Sequence, residues 1–347
     1  MGSQSKFKVI LIGLGSIGKV HLSKFTNFAT EVVVIDPKSG TREYIEKSSL
    51  YKITKHYTSL NQVSWDSKIN LAVIANWGPD HKVTIEELCK KGVTNFLVEK
   101  PLVSKLEDLD YLCDLQKNLN LNIVTNFQWN FSGFRERINE IINRFELGNV
   151  VGISVTGGAK CIVTNGIHYL ALASHIFDTY PDSVVARLKN DPINPRGENF
   201  GFFGGVALFE YPKERYLSLQ LQNNSRLTAR IELLLSDSRM EIADGRVKVF
   251  RIPKEKIDSF SKPAHTGYAA EIIFECEAFI DNNGKDGLDN LYQLILREKN
   301  KNLLADGVAA TRGIIGALLS SEKRTLINLT CESNDFESEK GKEWHIT

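Results

Sequence analysis

Six residues near the start of the chain, Gly13-Leu14-Gly15-Ser16-Ile17-Gly18, could bind a phosphate group. They follow an apolar run, Phe7–Ile12, which is typical of a buried strand, and they open a stretch of helical character. In such a turn the first glycine makes the bend, the second admits a pyrophosphate, and the third lets the helix pack on the strand. The first amides of that helix would bind the phosphates. The residues predicted to contact a dinucleotide are therefore Gly13, Gly15, Ser16, Ile17 and Gly18.

An acidic residue, Asp36, occupies the position at which dinucleotide-binding folds have a carboxylate. Asp36 follows the second apolar run, Val32–Ile35, about 20 residues beyond the glycine turn. A carboxylate here accepts hydrogen bonds from the ribose hydroxyls and repels a 2′-phosphate. The sequence therefore predicts NAD as the cofactor, with NADP less favoured. The alternative is a glycine turn that binds no ligand, and the order of strand, motif, helix and acid argues against it.

A second candidate for chemistry is Lys100, within Val98-Glu99-Lys100-Pro101. This segment ends a predicted strand, and in open α/β sheets ligands bind outside the carboxyl ends of the strands. A lysine there could donate a hydrogen bond to a substrate oxygen or stabilise negative charge that develops on it. A lysine before a proline is also an ordinary loop residue. From its position alone, Lys100 is a candidate and both interpretations stay open.

The first third of the chain predicts the scaffold for these residues. Short β-branched runs alternate with helical stretches, which is typical of a doubly wound parallel sheet. A capping box, Ser104-Lys105-Leu106-Glu107, is expected to open a helix that continues through Asn118. Another helix is expected over Asp80–Lys91. The predicted strands are Phe7–Ile12, Val32–Ile35, Leu71–Ala75, Phe96–Val98 and Ile123–Val124.

After about residue 126 the pattern changes. A helix with an apolar stripe is expected to begin near Phe134 and to be closed by Gly148, and later segments alternate with period two, as antiparallel strands do. The predicted fold class is α/β, a Rossmann doubly wound parallel sheet followed by an α+β domain with a largely antiparallel open sheet. The domains are expected at 1–125 and 126–347, and a late helix, 307–321, could pack back on the first domain.

Charge, hydropathy and cysteine spacing argue against several classes of protein. The 347 residues include 43 basic and 42 acidic side chains, and a net charge of +1 gives no electrostatic footprint for nucleic acid or an anionic membrane. No apolar run approaches the roughly 20 residues that span a bilayer, and the start lacks a signal peptide's long apolar region. The five cysteines lack the spacing of a zinc site or a disulfide framework. We expect a cytoplasmic protein without metal, nucleic-acid or membrane partners.

Three segments together resemble the landmarks of a known family: Gly13–Gly18, Glu99-Lys100-Pro101 and Gly166-Ile167-His168. They are similar to those of the Gfo/Idh/MocA family, named after glucose–fructose oxidoreductase, inositol dehydrogenase and rhizopine catabolism, and the resemblance covers most of the chain. It implies an NAD(P)-dependent dehydrogenase of cyclitols, sugars or sugar nucleotides. It also implies an oligomer, a homodimer or homotetramer, formed through the C-terminal sheet. The further cofactor residues that it implies are Ala75, Asn76, Glu99 and Lys100.

One family motif, Asp-x-Gly-x-His, is only partly retained. Gly166 and His168 match its glycine and histidine, but Thr164 occupies the aspartate position, and an aspartate often found three residues after the histidine is replaced by Ala171. A threonine forms hydrogen bonds but cannot hold an imidazolium by charge. A proton relay through His168 must therefore differ or fail. His175, about two turns further along the predicted helix, competes as the functional histidine.

The implied activity is hydride transfer between a nicotinamide cofactor and a secondary hydroxyl of a sugar-like substrate. Lys100 and His168 would be the catalytic residues, with Thr164 orienting the histidine. Polar and aromatic groups suit a sugar, so the predicted substrate contacts are Lys100, Gln128, Trp129, Asn130 and His168. Two alternatives remain: an NAD-dependent glycoside hydrolase, and a dinucleotide-binding regulator without activity. Thr164 favours the regulator, whereas the retained Lys100 and His168 oppose it.

Overall fold

The computed structural model describes residues 7–158, 160–190, 201–253, 270–278, 285–297, 303–330, 333–344 and 346. The chain divides into two compact units. The first comprises Met1–Asn126, Asp289–Thr311 and Ser338–Thr347. The second comprises Phe127–Leu288 and Arg312–Glu337. Segments from late in the chain are thus part of the first unit.

The first unit is built on a six-stranded parallel sheet. Its strands are β1 (Lys8–Ile12), β2 (Glu31–Ile35), β3 (Thr54–Tyr57), β4 (Leu71–Ile74), β5 (Asn95–Val98) and β6 (Asn122–Thr125). The order is β3-β2-β1-β4-β5-β6, which confirms the predicted doubly wound sheet. The sequence missed β3 because this edge strand is half-exposed and has no apolar run. The central strands were found because both of their faces are buried.

Four helices belong to the same part of the chain. They are α1 (Ser16–Lys24), α2 (Thr41–Glu46), α3 (His81–Lys90) and α4 (Leu106–Leu119). The predicted capping box at the start of α4 was wrong. Lys105, not Ser104, precedes the helix, and no side chain caps it. The backbone carbonyl of Ser104 instead accepts a hydrogen bond of 2.9 Å from the amide of Trp344.

The second unit is built on a nine-stranded sheet with one parallel pair, β7 with β10. The strands of this sheet are β7 (Gly152–Gly158), β8 (Ser183–Asn190), β9 (Phe203–Tyr211), β10 (Arg215–Gln222), β11 (Arg230–Leu234), β12 (Ser238–Ala243), β13 (Arg246–Arg251), β14 (Glu271–Glu277) and β15 (Ile327–Asn328). Their order is β14-β13-β12-β11-β7-β10-β9-β8-β15, a largely antiparallel sheet as predicted. Two helices, α5 (Phe134–Phe145) and α6 (Ile167–Phe177), follow the pattern of the sequence. Glu146, with a φ of 52°, ends α5 earlier than the predicted Gly148.

Two further helices come late in the chain, α7 (Lys285–Arg297) and α8 (Leu303–Lys323). In the described residues, α8 is the one helix long and apolar enough to cross a bilayer, but 78% of its most apolar window is buried in the protein. A buried core helix has this composition too, so it is weak evidence for a membrane span. Residues 303–311 of α8 belong to the first unit and residues 312–323 to the second.

The two faces of the nine-stranded sheet differ. One face is buried and largely apolar, and it includes Leu217, Leu219 and Leu233. On the other face Leu234 is 52% exposed and Tyr216 is 41% exposed. Both residues pair with Gly152 in the strand between theirs, so the glycine leaves a shallow gap between two apolar side chains. Apolar groups exposed together on one sheet face are typical of a protein–protein contact.

We propose that this face joins two copies of the chain, and expect light scattering at micromolar concentration to give the mass of a homodimer or homotetramer. Leu234→Glu should shift the protein toward monomer, because it places a charge within the proposed contact surface. Leu119, which is 49% exposed on α4, provides the matched control, since Leu119→Glu should leave the mass unchanged. A monomeric mass for the unaltered protein would contradict the proposal.

Candidate functional site

The glycine turn between β1 and α1 has the geometry that a dinucleotide requires. Gly13 has a φ of +90°, and a Cβ there would lie 2.5 Å from the carbonyl oxygen of Ala75. A Cβ on Gly18 would collide with the carbonyl oxygen of Gly13. A Cβ on Gly15 would meet no atom within 4 Å. The first and third glycines are therefore required by packing within the protein, whereas the second leaves open space for a ligand.

The start of α1 suits negative charge. No side chain caps the helix at Gly15, and its first turn contains no acidic residue. The amides of the first turn, which include those of Ser16, Ile17 and Gly18, cannot bond within the helix. Together with the partial positive charge of a helix N-terminus, they make a phosphate-binding position. The structure thus brings the five predicted residues of the turn together.

Asp36 lies beside this turn and is 3% exposed. Its carboxylate accepts hydrogen bonds from the amide of Leu14 at 2.5 Å, the amide of Lys38 at 2.8 Å and the hydroxyl of Thr41 at 3.2 Å. The side chain therefore ties the glycine turn to the loop after β2. This loop lines a cavity of about 400 Å³, whose walls include Leu14, Lys38 and Tyr44.

Glu99 is held at the carboxyl end of β5. Its amide donates to the carbonyl of Ile74 at 2.8 Å, which continues the pairing with β4. Its carboxylate Oε1 accepts two hydrogen bonds, from His21 Nε2 at 2.8 Å and from Asn126 Nδ2 at 2.6 Å. Burial by itself would raise the pKa of Glu99, but these donors and the nearby charge of Lys100 outweigh it and lower the pKa. The carboxylate is thus ionised at neutral pH.

Lys100 follows Glu99 directly, is half-exposed, and is joined to Pro101 by a cis peptide bond. His81 fixes the turn that comes next. Its Nδ1 lies 3.1 Å from the carbonyl oxygen of Pro101, and its Nε2 lies 3.3 Å from that of Asn76. Burial lowers the pKa of His81. A neutral ring donates to only one of these two carbonyl oxygens, but it packs between the loops after β4 and β5. The predicted residues Asn76, Glu99 and Lys100 therefore share one rigid edge of the sheet.

Two buried acceptors at this edge suit a ligand. Asn76 uses its amide nitrogen to bond Thr84 at 3.1 Å, and Asn126 uses its own to bond Glu99. The oxygens Asn76 Oδ1 and Asn126 Oδ1 are buried and have no hydrogen-bond partner among the described residues. Buried polar atoms without partners are rare in native proteins, and a bound group with N–H or O–H donors would satisfy them. Together with the open space at Gly15, they show that this edge fits a dinucleotide.

The predicted substrate residues form a cluster in the second unit. Trp129 lies in a short turn, Gln128–Phe131, and its ring is 5.4 Å from that of His168 and 5.2 Å from that of Tyr169. Phe127 contacts His168 edge-on at 6.1 Å. Asn130 is buried and donates to the carbonyl of Ala171 at 3.4 Å, whereas Gln128 is half-exposed. The imidazole of His168 therefore lies between aromatic rings.

Thr164 precedes His168 in a turn of π-helix, Ile162–Gly166, that leads into α6, and it is 3% exposed. The competing histidine, His175, lies on α6 in different surroundings. Its pKa is lowered by burial and by the charge of Arg135 on α5. Of the two candidate histidines, His168 is therefore the one that lies in the aromatic cluster with Trp129.

Sequence reasoning missed four residues of the first unit that support the site: His21, His81, Asn126 and Tyr292. None belongs to a motif with chemistry of its own. The available signal was weak: His21 is a polar residue on the inner side of α1, and it is 0% exposed. Tyr292 comes from α7, so nothing in local spacing could connect it to the cofactor edge.

Comparison with known proteins agrees with this geometry. Residues 7–127 match the family GFO_IDH_MocA, described as an oxidoreductase family with an NAD-binding Rossmann fold. The match spans all six strands of the parallel sheet. The resemblance inferred from Gly13–Gly18 and Glu99-Lys100-Pro101 is thereby confirmed, and so is NAD as the cofactor. No curated protein matches the chain in sequence.

Solved structures share the fold over nearly the whole chain. An oxidoreductase from Agrobacterium radiobacter, in complex with NAD+, L-tartaric acid and magnesium, is 13% identical with a TM-score of 0.72, covering 94% of this chain and 99% of that one. An NAD binding oxidoreductase from Klebsiella pneumoniae is 11% identical with a TM-score of 0.68, covering 94% and 100%. The transcriptional regulator Gal80p from Kluyveromyces lactis is 13% identical with a TM-score of 0.70, covering 94% and 92%. The scaffold therefore occurs both in oxidoreductases and in a regulator.

Asp36 should make the protein prefer NADH to NADPH. A 2′-phosphate beside this buried carboxylate would meet like charge, and roughly tenfold weaker binding corresponds to about 1.4 kcal/mol of repulsion. Asp36→Asn should reduce the preference, because it removes the charge and keeps an acceptor for the amide of Leu14. Fluorescence titration with both cofactors measures the ratio of their dissociation constants.

Glu43 supplies the matched control for this titration. It lines the same cavity, but its carboxylate is paired with Lys47 at 2.5 Å. Glu43→Gln should therefore leave the preference unchanged. Equal or tighter binding of NADPH by the unaltered protein would show that Asp36 does not select the cofactor.

Proposed function

We propose that the protein is an NAD-dependent oxidoreductase that acts on a secondary hydroxyl of a sugar, cyclitol or sugar nucleotide. The bound nicotinamide would supply the hydride acceptor or donor for this chemistry. The observation that carries the proposal is the position of Lys100. A half-exposed lysine follows a buried, ionised Glu99 at the same sheet edge as the glycine turn.

Lys100 has the chemistry to act on a reacting oxygen. When a hydroxyl carbon loses hydride, its oxygen must also lose a proton, and in the reverse direction negative charge develops on the carbonyl oxygen. An ammonium group that donates a hydrogen bond to this oxygen stabilises that charge most in the transition state. The loops on either side of Lys100 are held by Glu99 and His81, so the lysine is positioned before substrate binds.

His168 is the proposed proton acceptor and donor. Aromatic contacts with Trp129 and Phe127 set its ring position, whereas in the family motif an aspartate takes part. Thr164 offers a hydroxyl in place of that carboxylate, so it can orient the imidazole but cannot stabilise an imidazolium by charge. We therefore expect a relay weaker than one with a carboxylate, with Lys100 providing most of the charge stabilisation.

A cavity beside Trp129 supports a polyhydroxylated substrate. It measures about 240 Å³, and its lining includes Trp129, Tyr169, Lys160, Thr228 and Asp244. The two aromatic rings offer faces for the C–H side of a sugar ring. The lysine, threonine and aspartate offer donors and acceptors for hydroxyl groups. This combination of groups favours a sugar or cyclitol over a purely apolar substrate.

A dinucleotide-binding regulator is the second candidate. Two observations favour it: Thr164 replaces the acid of the motif, and a transcriptional regulator shares the fold. A regulator does not need a positioned lysine, however, so the retained Lys100 favours the enzyme.

The decisive variant is Lys100→Met, which removes the charge and keeps a long side chain. If Lys100 stabilises charge in the transition state, kcat should fall on the order of 10²–10³-fold, the loss typical of one electrostatic donor. NADH affinity and melting temperature should stay close to those of the unaltered protein. Turnover is measured from NADH absorbance with whichever member of a panel of sugars, cyclitols and nucleotide sugars is oxidised.

Lys105→Met is the matched control, because Lys105 is also half-buried but precedes α4. The kcat of the Lys105→Met protein should equal that of the unaltered protein. His168→Ala should also lower kcat, because it removes the proposed proton acceptor and donor. Turnover by Lys100→Met at the unaltered rate would refute the catalytic role.

A further inference from the structure

A buried chain of hydrogen bonds leads from α7 to Glu99. The hydroxyl oxygen of Tyr292 lies 2.5 Å from His21 Nδ1, and His21 Nε2 lies 2.8 Å from Glu99 Oε1. Asn126 Nδ2 bonds the same carboxylate oxygen at 2.6 Å. His21 is 0% exposed and Tyr292 is 1% exposed. An unsatisfied donor or acceptor in such a buried chain is costly.

Counting the donors and acceptors of Glu99, His21 and Tyr292 indicates which of their atoms carry hydrogens. An ionised Glu99 only accepts, so His21 Nε2 must carry a hydrogen. With His21 as the neutral imidazole, its Nδ1 carries no hydrogen, so the hydroxyl of Tyr292, which has this nitrogen as its hydrogen-bond partner among the described residues, donates to it. Tyr292 keeps this proton, because burial raises its pKa well above the usual value. The tyrosine therefore sets the histidine tautomer that donates to Glu99.

Both donors to Glu99 converge on one oxygen. His21 and Asn126 bond Oε1, whereas Oε2 has no hydrogen-bond partner among the described residues. A carboxylate held through one oxygen cannot rotate without breaking two buried bonds. Its second oxygen stays available as an acceptor at the edge of the sheet that binds the dinucleotide.

Packing keeps Tyr292 in place. Its ring lies against Phe25 and Phe28, with ring centres 5.9 Å and 5.2 Å apart. Lys24, at the end of α1, forms a salt bridge of 2.6 Å with Asp289 on α7. The helix that binds phosphate is therefore fastened to a helix that comes more than 260 residues later in the chain.

We propose that Tyr292 and His21 are positioning residues of the cofactor site, which orient Glu99 so that its Oε2 accepts a hydroxyl group of the bound dinucleotide. The proposal rests on the proposed function only in assigning Glu99 to the cofactor. It does not depend on turnover or on the identity of the substrate. A purely structural role for these residues would affect stability and leave cofactor affinity unchanged.

Tyr292→Phe tests the first link, because it removes the donor to His21 and keeps the ring. NADH affinity, measured by fluorescence on the full chain, should fall about tenfold as Glu99 loses its fixed orientation. Tyr211→Phe is the matched control. Tyr211 is also a buried tyrosine, and its hydroxyl bonds Ser174 at 3.1 Å in the second unit. It should lower the melting temperature to a similar degree and leave NADH affinity unchanged.

Two substitutions of His21 test the second link, and they carry the proposal if Tyr292→Phe does not fold. The amide of His21→Gln can still donate to Glu99, so it should retain NADH affinity to within about threefold, whereas His21→Leu should lose tenfold or more. Equal affinities for these two variants, or a Tyr292→Phe protein that binds NADH normally, would overturn the proposal.

A spectroscopic signature tests the tautomer directly. In protein labelled with ¹⁵N-histidine, the signals of His21, assigned by their loss in His21→Gln, should show hydrogen on Nε2 and a bare Nδ1. The Tyr292→Phe protein should lose this pattern, and the Tyr211→Phe protein should keep it. Hydrogen on Nδ1 in the unaltered protein would overturn the proposal. Failure to find any oxidised substrate would count against the dehydrogenase and leave these outcomes standing.

Discussion

The candidate cofactor site depends on one buried carboxylate, that of Glu99 at the end of β5, which must be stabilised by the groups around it. Placing the charge of Glu99 out of water is costly unless donors and an opposite charge compensate for it. The compensation comes from α1 through His21, from the end of β6 through Asn126, and from the neighbouring Lys100. Since α1 also follows the glycine turn, one buried charge connects the candidate phosphate-binding helix with the proposed catalytic lysine.

The sequence predicted those parts of the molecule whose signals are local. The strands with continuous apolar runs, the glycine turn and Asp36 each depend on residues close together in the chain, and the structure places them as expected. The edge strand β3 was missed because a half-exposed strand has no such run. The capping box before α4 failed because Ser104 is fixed by a backbone bond to Trp344, far away in the sequence. Tertiary contacts of this kind override local propensity.

The residues that support the site could not be predicted from the sequence, because their contacts too are with residues distant in the chain. His21, His81 and Tyr292 act through other residues, and their partners lie up to 271 positions away. A single buried histidine in a sequence is more often a structural residue than a functional one. The role of His21 could be inferred only from the structure, which shows the atoms that it bonds. The structure also shows that the other oxygen of Glu99 has no hydrogen-bond partner among the described residues.

The replacement of the family aspartate by Thr164 bears on whether the scaffold performs chemistry at all. A fold that occurs both in oxidoreductases and in a transcriptional regulator does not determine activity, which depends on the groups placed at the site. Lys100 is the feature that a dinucleotide-binding regulator would have no reason to keep. His168, the proposed proton acceptor, has aromatic neighbours, so in the proposed mechanism packing positions it and less of the stabilisation comes from a neighbouring charge.

Transfer of a hydride is the most direct measurement of the central claim. A panel of sugars, cyclitols and nucleotide sugars deuterated at the carbinol carbons would be incubated with the protein and NAD, and the NADH formed would be analysed by mass spectrometry. The account predicts that at least one compound yields deuterated NADH and an equimolar amount of its ketone. Tight binding of NADH with no deuterium transferred from any compound, and no oxidation of NADH by the corresponding ketones, would contradict it.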